Sequence, residues 1–326
     1  MLLGLMTGKR AGVCTEPWRV SKRPRRASPS RSMISNTSGH PRVQIIGFAC
    51  SPAIRSSRHN GYRPGRIVPG GGMLQSTFVH APWIGYRSEA RLWREGLRTW
   101  DEFLGGDPRL RGGRERTKAA RQEIERSRTR LRAGDYRYFA RRLRPRDQWR
   151  AIGEWGDRAV FLDIETTGLR RNRHHVTLIG LHDGRRMRQF IEGVDLDEFP
   201  AAIAKAPMIV TFNGSRFDLP FLQSWRPQLR FEQIHADLLY PLHALGLAGG
   251  LKAIEVELGI ERSEETRNLH GYDAVRLWKQ FERGDEGALD ILLEYNRQDV
   301  ENLRPLMEYA YESLRARILG TRARGP

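Results

Sequence analysis

Two acidic residues interrupt an apolar segment near the middle of the chain, in the sequence VFLDIE at residues 160–165. The β-branched and aromatic side chains of this segment predict a strand. Side chains two residues apart in a strand point to the same face, so Asp163 and Glu165 would project together. Like charges so close repel each other and are costly to bury. A fold built on this strand must therefore provide a partner for both carboxylates.

The segments that follow Ala151 alternate between strand-like and helix-like patterns, and the Asp183-Gly184 pair predicts a hairpin turn. An antiparallel hairpin beside parallel crossovers predicts an α/β fold, with a mixed sheet flanked by helices. The pattern predicts strands at 158–165, 175–184, 185–193, 206–214 and 233–240, helices at 195–206 and 217–225, and long helices from there to the C-terminus.

The formal net charge of +18 is concentrated at the N-terminus, where residues 1–72 hold 13 Lys and Arg against one acid, Glu16. This segment is rich in Ser, Pro, Gly and Arg and has no regular period, so we expect it to be disordered. It is either a basic arm that binds nucleic acid or a segment outside the native protein. The second alternative places the translation start at Met73, after three glycines with G-rich codons that resemble a ribosome-binding site.

Several classes of protein are excluded by simple patterns. No apolar run approaches the length of a membrane span, and the first ten residues lack the features of a secretory signal. Cys14 and Cys50 form neither a disulfide framework nor a zinc site. We therefore expect a cytoplasmic protein without a membrane partner.

Residues 73–150 are predicted to form a helical region. Two short helices within 82–104 are separated by Gly96, and Thr99 is a suitable N-cap for the second. This pair resembles a helix-hairpin-helix element, which presents backbone N–H groups to phosphate, although Trp83 stands where such elements carry the first glycine of Gly-Ile-Gly. A small helical cap that packs its tryptophans on the main domain is the alternative.

An Arg-rich connector follows at 105–150, with a charged helix that ends at Gly134. Arginines with interleaved Tyr and Phe suit a phosphate backbone and stacked bases, and a solvated helix face is the other interpretation.

Further carboxylates are placed to join the pair in the strand. Asp218 follows a strand end at the start of a helix, after a turn at 213–214, and Tyr295 and Asp299 lie four apart on one helix. Divalent cations would remove the cost of bringing four carboxylates together. Two such ions can bind both the attacking and the leaving oxygen of a phosphodiester.

Three motifs in this order resemble those of the DEDD superfamily of 3′–5′ exonucleases, in its tyrosine-bearing form on a ribonuclease-H-like fold. They are Asp163-Ile164-Glu165, the segment from Asn213 to Phe217-Asp218, and the segment from Tyr295 to Asp299. From Met73 to about Leu314 the chain is also similar to YprB-like ribonuclease-H-like proteins. The resemblance implies an exonuclease domain at 151–318, followed by a tail at 319–326.

The resemblance also implies roles for two divalent ions, Mg²⁺ or Mn²⁺, and for five residues. Asp163 would contact both ions, Glu165 and Asp299 would bind the ion that activates water, and Asp218 would bind the other. Tyr295 would position or deprotonate the attacking water.

The implied substrate is a single-stranded or 3′-ended DNA or RNA, hydrolysed to nucleoside monophosphates. Thr166 and Leu169 would contact the terminal nucleotide, and Asn213 would hold the turn of the second motif. Asp237 and Lys252 are candidates to support the site or to contact phosphate, whereas His235 is expected to pack or bond within the sheet. A structure-selective endonuclease and a non-catalytic nucleic-acid-binding module remain alternatives.

Overall fold

The computed structural model describes residues 72–320 of the chain. The predictions for residues 1–71, for both cysteines and for residues 321–326 lie outside the described residues. Among residues 72–320, no helix combines the length and the apolar character needed to cross a membrane.

A five-stranded mixed sheet forms the centre of the structure, with the strand order β3-β2-β1-β4-β5. The pairs β1–β2 and β2–β3 are antiparallel, and the pairs β1–β4 and β4–β5 are parallel. This topology confirms the predicted hairpin followed by parallel crossovers. The strands are β1 (Ala159–Thr166), β2 (Val176–His182), β3 (Met187–Ile191), β4 (Met208–Thr211) and β5 (Ile234–Asp237).

Helices precede the sheet, connect its parallel strands and follow it to the end of the described chain. They are α1 (Tyr86–Arg94), α2 (Trp100–Gly105), α3 (Arg114–Arg132), α4 (Tyr136–Arg142), α5 (Ile152–Trp155), α6 (Phe199–Ile203), α7 (Asp218–Trp225), α8 (Leu239–Leu245), α9 (Leu251–Glu257), α10 (Glu264–Arg267), α11 (Gly271–Phe281), α12 (Glu286–Glu301) and α13 (Leu303–Leu319).

Three predicted elements are longer than the observed ones. The strand predicted at 206–214 is observed only at Met208–Thr211. The strand predicted at 233–240 ends at Asp237, because the Asp237 carboxylate accepts the N–H of Leu239 and the chain turns there into α8. The apolar run therefore belongs partly to a strand and partly to a helix, which its composition does not distinguish. The helix predicted at 195–206 is a 3-10 turn at Leu196–Glu198 followed by α6, and it ends before Pro207, which disfavours helical backbone at the preceding residue.

The two faces of β1 carry different side chains, as period-two alternation predicts. Val160, Leu162 and Ile164 pack in one apolar cluster, while Ala159 and Phe161 pack in another on the opposite face. Asp163 and Glu165 continue this second face toward the carboxyl end of the strand. The two acids therefore project to the same side, as predicted.

The helical region has the predicted helix pair and shares a core with the sheet. Thr99 forms a capping box with Glu102: the Thr99 hydroxyl accepts the Glu102 N–H at 3.3 Å, and the Glu102 carboxylate accepts the Thr99 N–H at 2.8 Å. One apolar cluster contains Trp100 of α2 together with Phe161 of β1. The predicted boundary at residue 150 is therefore crossed by a continuous core.

The turn that resembles a helix-hairpin-helix element has an unexpected backbone conformation at Trp83. Trp83 adopts a left-handed backbone conformation with φ of 67°, which glycine adopts most easily. The position therefore keeps the conformation that a glycine would favour, although a large side chain is present. Trp83 is 62% exposed and its ring lies 4.5 Å from the guanidinium carbon of Arg116, whereas Trp100 is buried.

The Arg-rich connector uses several arginines for its own structure. Its long helix ends at Arg132, with Gly134 in the left-handed region at φ of 68°, close to the predicted end. Glu123 on this helix is buried and pairs with Arg126 at 3.0 Å and with Arg142 at 3.1 Å. Most residues of this helix are exposed, so the solvated-face interpretation stays open, while Arg126 and Arg142 also hold the buried Glu123.

Candidate active site

Three carboxylates come together at the carboxyl end of β1. Asp163 and Glu165 come from this strand and Asp299 from α12, and a carboxylate oxygen of each lies within 4.8 Å of the other two. Burial is the main cause that raises the pKa values of Asp163 and Glu165, and the charges of Asp299 and Asp218 raise them further. One oxygen of Glu165, Oε1, is buried and has no hydrogen-bond partner among the described residues.

Asp218 is the first residue of α7 and lies beside this cluster. Burial raises the pKa of Asp218 to about 7, and the charges of Asp237 and Asp299 raise it further. The backbone N–H groups of Asp218 itself and of Ile164, which lies between the two acids of β1, act in the opposite direction. The fourth predicted carboxylate is therefore next to the other three, while its oxygens lie outside the 4.8 Å group.

The turn before Asp218 is held by Asp237 at the end of β5. The Asp237 carboxylate accepts the N–H of Asn213 at 2.7 Å, the N–H of Ser215 at 3.0 Å and the Ser215 hydroxyl at 2.6 Å. Asn213 has φ of 62°, a conformation that Asn tolerates better than most residues. Asp237 thus supports the second motif by orienting its turn, and it does not belong to the carboxylate cluster.

The helix α12 presents Tyr295 and Asp299 on its buried face, as their spacing predicts. Asn296, which the sequence interpretation missed, donates from Nδ2 to Oδ2 of Asp163 at 3.0 Å. A signal for it was available, because the buried stripe of α12 at Leu292, Tyr295, Asn296 and Asp299 follows helical spacing. A side-chain amide on a helix face that is otherwise apolar and acidic indicates a buried hydrogen bond.

Gly180 of β2 allows α12 to approach the sheet closely at this point. It is the partner of Asp163 in the register between β1 and β2. A Cβ added at Gly180 would lie 2.2 Å from Oδ1 of Asn296 and 2.7 Å from Cγ2 of Val300. The absence of a side chain at this position therefore permits the contact between Asn296 and Asp163.

Arg262, which the sequence interpretation also missed, is a buried cation at the edge of the cluster. It donates to both oxygens of Glu255, at 2.5 and 2.7 Å, and also to Asp299. Burial acts to lower the pKa of Arg262, but the hydrogen bonds with Glu255 and the charge of Asp299 outweigh it and raise the pKa. No sequence motif indicates this contact, because Arg262 lies in a loop distant along the chain from Asp299.

Lys252 lies on the open side of the cluster, with Nζ 4.3 Å from the centre of the Tyr295 ring. Burial lowers the pKa of Lys252, and the charges of Asp299 and Glu165 act in the opposite direction. The pKa of Tyr295 is raised, mainly by burial and then by the neighbouring carboxylates. These residues border a cavity of about 360 Å³ that is lined by Gly250, Leu251, Lys252, Ala253, His270, Gly271, Tyr295 and Asp299.

The residues predicted to contact a nucleotide differ in their accessibility. Leu169, after β1, is 82% exposed, whereas Thr166 is buried and its hydroxyl donates to the carbonyl of Gly168 at 2.9 Å. His235 bonds within the sheet as expected, through Nε2 to the Thr211 hydroxyl at 2.9 Å.

The side chains of the cluster fit a hard divalent cation. All of the converging groups offer carboxylate oxygens, which Mg²⁺ and Mn²⁺ prefer as ligands. One oxygen of Glu165 has no hydrogen-bond partner among the described residues, and burial and repulsion raise the pKa values of Asp163 and Glu165. Both observations indicate that the ionised carboxylates lack a positive partner. A bound cation would supply the missing charge.

Comparison with known proteins agrees with this fold. A family model described as the RNase_H superfamily matches residues 160–311, and together with the mixed sheet and its flanking helices it defines a ribonuclease-H-like domain. A search of curated proteins found no match.

Two solved structures are similar to part of the chain. One is a family B DNA polymerase from the hyperthermophilic archaeon Pyrobaculum calidifontis, at 19% identity and a TM-score of 0.39, with 49% of this chain and 25% of the polymerase chain covered. The other is a nuclease in its apo form, at 19% identity and a TM-score of 0.37, with 50% of this chain and 77% of that chain covered.

Proposed function

We propose that this protein is a metal-dependent 3′–5′ exonuclease that hydrolyses the phosphodiester bonds of DNA or RNA. The observation that carries the proposal is the convergence of Asp163, Glu165 and Asp299 within 4.8 Å, with Asp218 beside them. A protein that only binds nucleic acid gains nothing from burying four acids, since their repulsion and desolvation destabilise the fold. A reaction that needs bound cations explains why the four acids are buried together.

The four carboxylates would hold two divalent ions, Mg²⁺ or Mn²⁺. When bound, such ions lower the pKa of water and neutralise charge on the attacking and leaving oxygens of a phosphodiester. Asn296 would keep the Asp163 carboxylate in orientation through its 3.0 Å hydrogen bond, and Gly180 would allow that contact.

Tyr295 and Lys252 would act on water and on phosphate respectively. Because burial raises the pKa of Tyr295, its phenol stays protonated and can donate a hydrogen bond that orients the attacking water. Lys252, on the open side of the cluster, can donate to a non-bridging oxygen of the scissile phosphate. Both assignments require the substrate to enter from the cavity that these residues border.

Two exposed side chains close in sequence to residues of the site suit a single-stranded end. Leu169 follows the strand that carries two of the acids, and Tyr272 follows Gly271, which lines the cavity. They are 82% and 81% exposed. Apolar and aromatic side chains of this kind can stack against unpaired bases, an interaction that tolerates any sequence. Such stacking supports a single-stranded or 3′-ended substrate, and it is equally possible with DNA and with RNA.

The experiment that tests the proposal uses the purified protein with DNA and RNA single strands of matched sequence, each labelled at the 5′ end. Each substrate is incubated with Mn²⁺, with Mg²⁺ or with EDTA. The variant Asp163→Ala is compared with Asp157→Ala, an exposed residue before the opposite end of the same strand. We expect a ladder that shortens from the 3′ end with metal, that is lost with EDTA and with Asp163→Ala, and that persists with Asp157→Ala.

A circular single strand distinguishes the alternatives, because it has no 3′ end. Cleavage of the circle that depends on Asp163 would replace the exonuclease with a structure-selective endonuclease that uses the same carboxylates. Salt-sensitive binding without metal-dependent cleavage of any substrate would indicate a binding module.

A further inference from the structure

Glu154 in the short helix α5 carries a carboxylate that the proposed nuclease site does not use. Although the residue is half-buried overall, both of its oxygens are shielded from solvent, and neither has a hydrogen-bond partner in another residue of the range 72–320. Burial raises the pKa of Glu154 to about 8, against the smaller opposing effects of its own backbone amide and of Arg315. A shielded carboxylate in this state destabilises the fold unless a cationic donor reaches it.

The carboxylate lies against the chain immediately before Met73. A Cβ added at Gly72 would lie 2.2 Å from Oε1 of Glu154. A Cβ added at Gly153 would lie 2.2 Å from the hydroxyl of Tyr311 and 3.3 Å from the Cα of Gly72. The Glu154 carboxylate and the Tyr311 hydroxyl therefore both lie close to the backbone immediately before Met73.

Met73 itself is anchored in the core. Its side chain is fully buried, and its backbone nitrogen donates to the hydroxyl of Tyr311 at 3.0 Å. Its carbonyl accepts the hydroxyl of Thr77 at 2.7 Å. The nitrogen of Met73 is thus held at a fixed place, beside a phenol oxygen and next to the residue that touches the unpartnered carboxylate.

We propose that Glu154 and Tyr311 bind the α-ammonium group of Met73, which is then the first residue of the folded protein. A peptide nitrogen has one N–H and no charge, whereas an α-ammonium group has three N–H donors and a positive charge. The Tyr311 hydroxyl would accept one of these hydrogens, and the two oxygens of Glu154 would accept the others. The buried carboxylate would then have both a counter-charge and hydrogen-bond donors, which is the condition under which buried ion pairs are stable.

This inference concerns the start of the mature chain and is independent of the nuclease proposal. In the sequence, a glycine run precedes Met73, and the basic segment with 13 Lys and Arg lies wholly before Met73. An α-ammonium group at Met73 gives a physical reason for this pattern. A basic arm attached to Met73 would convert the ammonium group to a peptide and leave Glu154 without its partner.

The first test is the intact mass of the protein isolated from its own cells. We expect the mass of a chain that begins at Met73 with a free, unformylated amino group. A chain that begins at Met1, or a Met73 that keeps a formyl group, would overturn the inference.

The second test uses the same isolated protein and its denaturant unfolding. Glu154→Gln should lower the equilibrium constant for folding at least tenfold at pH 7, because it leaves a buried ammonium group unpaired. The control Glu257→Gln alters an exposed acid and should change the constant less than threefold. An unchanged or increased constant for Glu154→Gln is the result expected beside an uncharged peptide nitrogen, and it would overturn the inference.

A third readout does not depend on any variant folding. In the native wild-type protein, the α-amino group of Met73 should react with acetic anhydride at least tenfold more slowly than after denaturation. Equal rates in the two states would show that the amino group is not bound, and would overturn the inference.

Discussion

Replacing Asp218 by Asn should make the metal-free protein more stable. In the folded state burial raises the pKa of Asp218 from 3.8 to about 7. A carboxyl group whose folded pKa is raised contributes stability below its unfolded pKa, and that stability is lost as the pH rises through the folded pKa. At about 1.36 kcal/mol per pH unit, the ionised group costs about 4 kcal/mol at pH 7. Asn has nearly the same shape as Asp and carries no charge, so it removes this cost.

The assay is denaturant unfolding in EDTA at two pH values. The free energy of unfolding of Asp218→Asn should exceed that of wild type by about 4 kcal/mol at pH 7 and by about 2 kcal/mol at pH 5, where the folded wild type is already protonated. Adding Mn²⁺ should stabilise the wild type, since a ligand that binds only the folded state stabilises it. The difference in the free energy of unfolding between Asp218→Asn and the wild type should then become smaller.

A matched control is available in Asp237, which is also a buried carboxylate of this region. It accepts several N–H and O–H groups, so Asp237→Asn should destabilise the protein by about 1–3 kcal/mol under the same conditions. If Asp218→Asn also destabilises the protein in EDTA, the reasoning that burial makes the ionised Asp218 carboxylate unfavourable is refuted.

Three further predictions concern the surroundings of the site and the core of the helical region. Arg262→Met should lower the free energy of unfolding by about 3–5 kcal/mol, because it leaves the buried Glu255 without its cation. An unchanged midpoint of denaturant unfolding would contradict this. Gly180→Ala should reduce metal-dependent cleavage and destabilise the fold by about 1–3 kcal/mol, because its Cβ displaces Asn296; full activity would show that the close approach is unnecessary. Burial lowers the pKa of His80 from 6.5 to about 3, so the stability that this neutral imidazole contributes is present above pH 6.5 and is lost toward pH 3. From pH 7 to pH 5 the free energy of unfolding of the wild type should therefore fall by about 2 kcal/mol more than that of His80→Gln. Equal decreases in the two proteins would contradict a buried neutral His80.

The sequence predicts the sheet well because its signals are local. Alternation in β1 places Asp163 and Glu165 on one face, and the spacing of Tyr295 and Asp299 places both on the buried face of α12. The end of β5 is predicted less well, since the apolar run after Asp237 suits both a strand and a helix.

The partners of the carboxylates depend on tertiary contacts that no short pattern records. Arg262 reaches Asp299 from a loop, and Asn296 reaches Asp163 only because Gly180 on the neighbouring strand has no side chain. Asn296 was detectable as a polar residue in a buried stripe, whereas Arg262 stands among charged residues with no distinguishing spacing. Arg262 was therefore beyond sequence interpretation, while the acids and Lys252 were not.

Anomalous diffraction from crystals grown with Mn²⁺ would show whether the carboxylates at the end of β1 form a metal site. We predict anomalous density in contact with Asp163, Glu165 and Asp299, with a second ion beside Asp218, and none of this density in crystals of Asp163→Ala. Ordered carboxylates without anomalous density, in crystals that contain Mn²⁺ well above millimolar levels, would show that these carboxylates do not form a metal site.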